Sequence, residues 1–263
     1  MKPSRTTAVN KLRELKQRTK IIRGGSSAGK TIAILCILID YAIRNKNKEI
    51  SVVAESIPHL RRGALKDFLS IMRGVNRYKE KQFNRSTLKY EFVSGSYIEF
   101  FSTDQPDKLR GARRTDLYIN ECNNVPFSSY QELAIRTSET VWLDYNPTSL
   151  FWVDKELVDQ PDTDFITLTY KDNEALPESI VKELEKARDK AKTSSYWANW
   201  CKVYLDGQIG SLEGACIPDW KEIDAVPVEA RLLAHGMDFG YSVDSTSIVS
   251  PVSYTHLTLP TNA

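Results

Sequence analysis

A chain of 263 residues suffices for one large domain or two modest ones, and 41% hydrophobic with 27% charged residues is ordinary for a soluble globular protein. The formal net charge of +2 leaves nucleic-acid binding undecided, since any contact would be a local patch on a balanced surface. Met1-Lys-Pro-Ser-Arg5 lacks the apolar stretch of a signal peptide, the apolar run Thr31 to Ala42 is too short for a bilayer, and Cys36, Cys122, Cys201 and Cys216 show no regular spacing. Free thiols in an intracellular compartment are therefore expected.

Residues 8–18 read as a charged amphipathic helix leading into a short β-branched strand, Lys20 to Arg23. Gly24-Gly25-Ser26-Ser27-Ala28-Gly29-Lys30-Thr31 then fits G-x-x-x-x-G-K-[ST], a phosphate-binding loop. Glycines let the backbone curl its N–H groups toward phosphate oxygens, Lys30 has the reach for the β- and γ-phosphates, and the Thr31 hydroxyl suits Mg²⁺. A helix-length run from Lys30 to Arg44 follows and adds a favourable dipole for anions.

Next come a buried-type strand at 49–54, a helix from Pro58 to Arg73 and a hairpin of 87–92 and 97–101 around Ser94-Gly95-Ser96. A core strand is predicted at 116–121, a helix at 126–136, strands at 140–144 and 165–170, and helix over 177–205. This alternation predicts an α/β fold with a mainly parallel sheet flanked by helices. The pattern loosens over 207–230 into a Gly/Pro-punctuated linker, and a second hairpin begins at Leu232 and runs through Ser245 to Val249. Residues 251–263 resemble a translated sequencing adapter, so the second domain, 231–250, reads as cut short.

The strand ending in Asn120-Glu121 sits where a Walker B strand belongs. Glu121 is the candidate general base for ATP hydrolysis, and Asn120 stands where an Asp usually holds the hydration shell of Mg²⁺. Its amide can accept from a metal-bound water but brings no charge, so weaker metal affinity is expected. Gln17, upstream of the first strand, is a possible adenine reader or a polar helix end.

The ordered set of Arg23 to Thr31, Lys108-Leu-Arg-Gly111, Ile119-Asn-Glu-Cys-Asn123, Leu143-Asp-Tyr-Asn-Pro147 with Phe151-Trp152, Tyr204-Leu-Asp-Gly207, Gly214 to Trp220 and Gly236-Met-Asp-Phe-Gly-Tyr241 resembles tailed-bacteriophage terminase large subunits of the PBSX-like type. The resemblance covers nearly everything from residue 20 to 250. It implies an ASCE-type P-loop NTPase over 1–206 that powers double-stranded DNA packaging, followed by the start of an RNase H-like nuclease. Under it, Asn146 is a coupling residue that senses the γ-phosphate, and Arg110 an arginine finger, with Arg113 and Arg114 as alternatives. Asp238 is then the first metal carboxylate of a nuclease using Mg²⁺ or Mn²⁺. The small terminase subunit, the portal protein and a homo-oligomeric ring are the implied partners, in the host cell cytoplasm. A helicase-like repair ATPase would carry further motifs after residue 140, which are not found. A non-catalytic nucleotide-binding regulator stays open through Asn120.

Overall fold

The computed structural model describes residues 6–104, 111, 113–210, 228, 230–238, 247–249 and 252–253. The chain divides into two compact units, Met1–Glu213 and Gly214–Ala263, and each is described by itself.

The first unit is built on an eight-stranded sheet of order β3-β4-β5-β2-β6-β7-β1-β8. Its parallel part comprises β5 (Tyr97–Ser102), β2 (Glu49–Ala54), β6 (Arg114–Ile119), β7 (Thr137–Tyr145), β1 (Thr19–Gly24) and β8 (Thr163–Leu168). The edge is antiparallel: β4 (Lys89–Glu91) pairs with β5 and β3 (Phe83–Asn84) with β4. The alternating burial of β5 and the continuous burial of β2 follow from this, since central parallel strands are covered on both faces. The strand β7 lies between β1 and β6, the insertion expected of an ASCE-type sheet.

One face is covered by α1 (Thr7–Arg13), α2 (Lys30–Arg44), α3 (Ile57–Arg62) and α4 (Ala64–Gly74), whose Leu12, Ile34, Leu35, Leu38 and Phe68 are buried. The other is covered by α5 (Phe127–Ala134) and α6 (Trp152–Glu156), where Trp152 stacks on Tyr130 and donates from Nε1 to Val125 O at 2.8 Å. The helices α7 (Glu178–Lys190) and α8 (Ser195–Tyr204) pack together through Val181, Leu184, Ala187, Trp197 and Cys201.

Three predicted elements differ in detail. The single helix expected over 58–73 is two, broken at Gly63, and the break leaves His59 on a short helix at the end of β2. The helix over 177–205 is likewise divided: Ser194 in extended conformation caps α8, its hydroxyl accepting from Trp197 N. The strand of 116–121 stops at Ile119, because Glu121 adopts a left-handed backbone, φ +52°. Cys36, Cys122 and Cys201 are free thiols, while Cys216 lies outside the described residues. No described helix is long and apolar enough to cross a membrane.

In the second unit β9 (Arg231–Leu232) pairs antiparallel with β12 (Val252–Ser253), and β10 (Gly236–Asp238) with β11 (Ser247–Val249). Asp238 is opposite Ser247 in that register.

Candidate nucleotide-binding site

In an open parallel sheet the ligand crevice lies at the carboxyl ends of the strands. Here β1 ends at Gly24, β6 at Ile119 and β7 at Tyr145, three neighbouring strands whose following residues meet in one place. The cleft there has a volume of about 340 Å³ and is lined by Ser26, Ser27, Gly29, Lys30, Thr31, Asp67, Glu121, Asp144, Asn146 and Asn173 among others.

The loop is shaped by its glycines and its neighbours. Gly29 has φ +73°, a conformation that side chains rarely adopt. A Cβ on Gly25 would lie 1.9 Å from Tyr204 O, so the loop rests directly on the end of α8. Asn173 Nδ2 donates to Ser27 O at 3.0 Å and fixes the loop from the far side. Gly25→Ala is therefore expected to displace the loop and lower nucleotide affinity by at least about tenfold. Fluorescent-nucleotide titration is the check, and unchanged affinity would count against the close packing.

Lys30 is buried at 6% exposure, and desolvation pushes its ammonium down, opposed by the charges of Asp144 and Glu121. It is fully satisfied: Nζ donates to Gly24 O at 2.8 Å, Gly25 O at 3.0 Å and Asn146 Oδ1 at 2.7 Å. The predicted loop lysine and the predicted coupling residue are thus in direct contact.

Glu121 Oε2 lies 3.2 Å from His59 Nε2 and 3.5 Å from Asn124 Nδ2, with the side chain 40% exposed to the cleft. A non-glycine residue at φ +52° stores strain on the order of 1–3 kcal/mol, and such strain concentrates at functional positions. Glu121→Gly is expected to stabilise the fold by about 1 kcal/mol while removing the carboxylate. Urea unfolding checks the sign, and a destabilised variant would contradict it.

Asn120 is buried at 2% exposure. Its amide Nδ2 donates to Asp144 Oδ1 at 2.9 Å, Tyr118 OH at 3.1 Å and Thr31 Oγ1 at 3.3 Å. The face it turns to Thr31 is the donating one, so the amide links its partners. Asp144 figures in the sequence reading only as part of a motif. It is buried at 1% exposure and its Oδ1 accepts from Tyr118 OH at 2.8 Å, Asn120 Nδ2 and Glu121 N at 3.2 Å. A carboxylate ending the apolar run Val141-Trp-Leu143 is the signal that could have found it.

A hydroxyl and two carboxylates, Thr31, Asp144 and Glu121, on the walls of one cleft fit a hard cation such as Mg²⁺. That ion takes one or two protein carboxylates, with water and phosphate completing its shell. Among the described residues no group of three or more acidic, His or Cys side chains is placed to hold a metal alone.

The remaining predicted residues lie elsewhere. Gln17 is exposed before the first residue of β1, at the end of that strand opposite the loop, and its N–H donates to Asp164 Oδ2 at 2.7 Å. The structure does not bring it to the cleft. Arg110 lies outside the described residues. Arg114 is no finger: it starts β6 at the end away from the cleft, buried at 4% exposure, with Nη1 donating to Leu133 O and Nε to Ser51 Oγ, both at 3.0 Å. Arg113, beside it, is exposed. Asp238 belongs to the second unit.

The family profile described as phage terminase large subunit matches residues 16–202, which includes every residue that lines the cleft. This chain belongs to the phage terminase large-subunit family. Its structural relatives agree in fold. The large terminase of a thermophilic bacteriophage matches with a TM-score of 0.65 at 18% identity, covering 89% of this chain and 61% of that one. The same thermophilic-phage protein in complex with ADP gives 0.63 at 18% identity, over 94% and 64% of the two chains. The ATPase domain of the Thermus phage P74-26 large terminase gives 0.58 at 14% identity, over 77% and 92%. This terminase chain thus spans 61% of the length of the thermophilic-phage protein it matches. No curated protein sequence matches it.

Proposed function

We propose that this terminase chain binds and hydrolyses ATP in the cleft between β1, β6 and β7, and that hydrolysis drives double-stranded DNA translocation into a capsid. The observation that carries this reading is the convergence of Lys30, Thr31, Glu121 and Asn146 from three strand ends on one cleft. The ADP complex of the thermophilic-phage relative supports the choice of nucleotide.

In this mechanism the loop amides and Lys30 neutralise the triphosphate, with Lys30 exchanging its bond to Asn146 for a phosphate oxygen. Glu121 accepts the proton of the attacking water, and His59 and Asn124 orient its carboxylate. Thr31 would hold Mg²⁺, which would supply charge neutralisation at the phosphates. Because Asn146 touches Lys30, loss of the γ-phosphate changes the partner of both, which is a direct route from hydrolysis to movement of β7. Arg110 of a neighbouring subunit is proposed to complete the site in a ring. DNA, the small terminase subunit and the portal are the proposed partners, and the host cytoplasm the proposed location. Asp238 is proposed as a nuclease carboxylate of the second unit, with Mg²⁺ or Mn²⁺ as its metal.

Gln17 being remote, the base is better served by an apolar recess beside the loop. It is lined by Thr6, Gly29, Ile32, Asn173, Leu176 and Pro177, and Ile32 is 40% exposed there. Ile32→Ala is expected to raise the ATP dissociation constant about fivefold by losing roughly 1 kcal/mol of apolar contact. Isothermal titration is the check, and Gln17→Ala should change nothing.

The test of the motor reading is phosphate release with and without duplex DNA, together with a forked-duplex unwinding assay. ATP turnover that rises with duplex DNA and falls with salt, without unwinding, is expected. Strand separation would favour the helicase-like alternative, and no turnover the regulator.

A further inference from the structure

Asp144 presents an unusual balance. A carboxylate at 1% exposure is costly to bury unless donors or a counter-charge replace water. Its three donors, Tyr118 OH, Asn120 Nδ2 and Glu121 N, all fall on Oδ1, and no described residue hydrogen-bonds Oδ2. It forms no salt bridge with any described residue, since the nearby Lys30 ammonium is turned to Gly24 O, Gly25 O and Asn146 Oδ1. The carboxylate is therefore built into the cleft wall with hydrogen-bond support and without an ion pair among the described residues.

Its placement is specific. Asn120 Nδ2 reaches both Asp144 Oδ1 and Thr31 Oγ1, so one amide ties the carboxylate to the loop hydroxyl. An Asp at 120 would put two carboxylates in contact, and like charges at that distance do not both ionise. Asn at 120 and Asp at 144 are thus complementary: the amide is what lets the neighbouring strand carry the charge. The arrangement still supplies the hydroxyl and the carboxylate that Mg²⁺ uses alongside phosphate oxygens.

We infer that Asp144, on β7, supplies the metal-side negative charge of the ATP site in place of residue 120 on β6, and that Asn120 is its positioning residue. This rests on the ATP-site reading above. It replaces the expectation that Asn120 leaves the site with weak metal affinity.

The experiment is Mn²⁺ titration of the ADP-bound chain, followed by electron paramagnetic resonance, for the natural protein and for Asn120→Asp, Asp144→Asn and the double exchange. Asp144→Asn is expected to weaken Mn²⁺ binding at least about tenfold, and the double exchange to restore it to within about threefold. Asn120→Asp alone is expected to change it by less than about threefold, because the charge is already present. Tightening of tenfold or more in Asn120→Asp overturns the inference, and this arm does not depend on Asp144→Asn folding. An unchanged affinity in Asp144→Asn also overturns it. ADP affinity measured in EDTA separates the two claims: if the natural chain does not bind ADP, the ATP-site reading fails before the metal is reached.

Discussion

Glu121→Gln is expected to lower ATP turnover by about 10²–10⁴-fold while leaving ATP binding within about threefold. The amide keeps the shape of the side chain and a group for His59 and Asn124 to meet, so the ground-state cleft is preserved. What it loses is the ability to take a proton from water. The contrast with a regulator is direct, because a protein that only senses nucleotide has no turnover for the substitution to remove. Phosphate release and fluorescent-ATP binding on the same preparation are the measurements. Turnover that survives unchanged would move the general base elsewhere in the cleft, to Asp67, whose carboxyl burial holds up, or to Asp144, the other carboxyls on its wall.

Lys30→Met carries the second large effect, and here two terms oppose each other. Removing a buried ammonium relieves its desolvation, but it strands Gly24 O, Gly25 O and Asn146 Oδ1, each at about 1–3 kcal/mol if left unpaired. The net change in folding stability is expected to be small. The loss to ATP is not offset in this way: a charge-assisted contact to phosphate is worth about 1.5–3 kcal/mol, or roughly 10–150-fold in affinity. Titration with ATP, and thermal unfolding on the same variant, separate the terms. A variant that melts far below the natural chain yet binds ATP normally would show that Lys30 is there for the fold.

The sheet was legible because its signals are local and redundant. Apolar runs at 20–23, 49–54 and 116–121 alternate with helical ones, and helical crossovers between strands favour the parallel order. The loop was legible because its glycines and lysine sit at fixed spacing on the chain. Asp144 was not, because its role depends on β7 lying between β1 and β6, a neighbourhood that only the strand order creates. The bonding of Asn120 was hidden for the same reason: an amide can donate or accept, and its partners, Tyr118, Thr31 and Asp144, come from three elements. Of the two readings of Gln17, its position ahead of β1, with the loop following that strand, puts it at the opposite end of the strand. His59 needed the break at Gly63, which one helical period across 58–73 conceals.

The most direct test is a crystal structure of the chain with Mg²⁺ and a slowly hydrolysed ATP analogue. The expected result places the β- and γ-phosphates in the Gly24–Thr31 loop, with Lys30 Nζ moved from Asn146 Oδ1 onto a phosphate oxygen and Glu121 facing the γ-phosphate. A nucleotide bound away from that loop, or a Lys30 still bonded to Asn146 beneath it, would contradict the account.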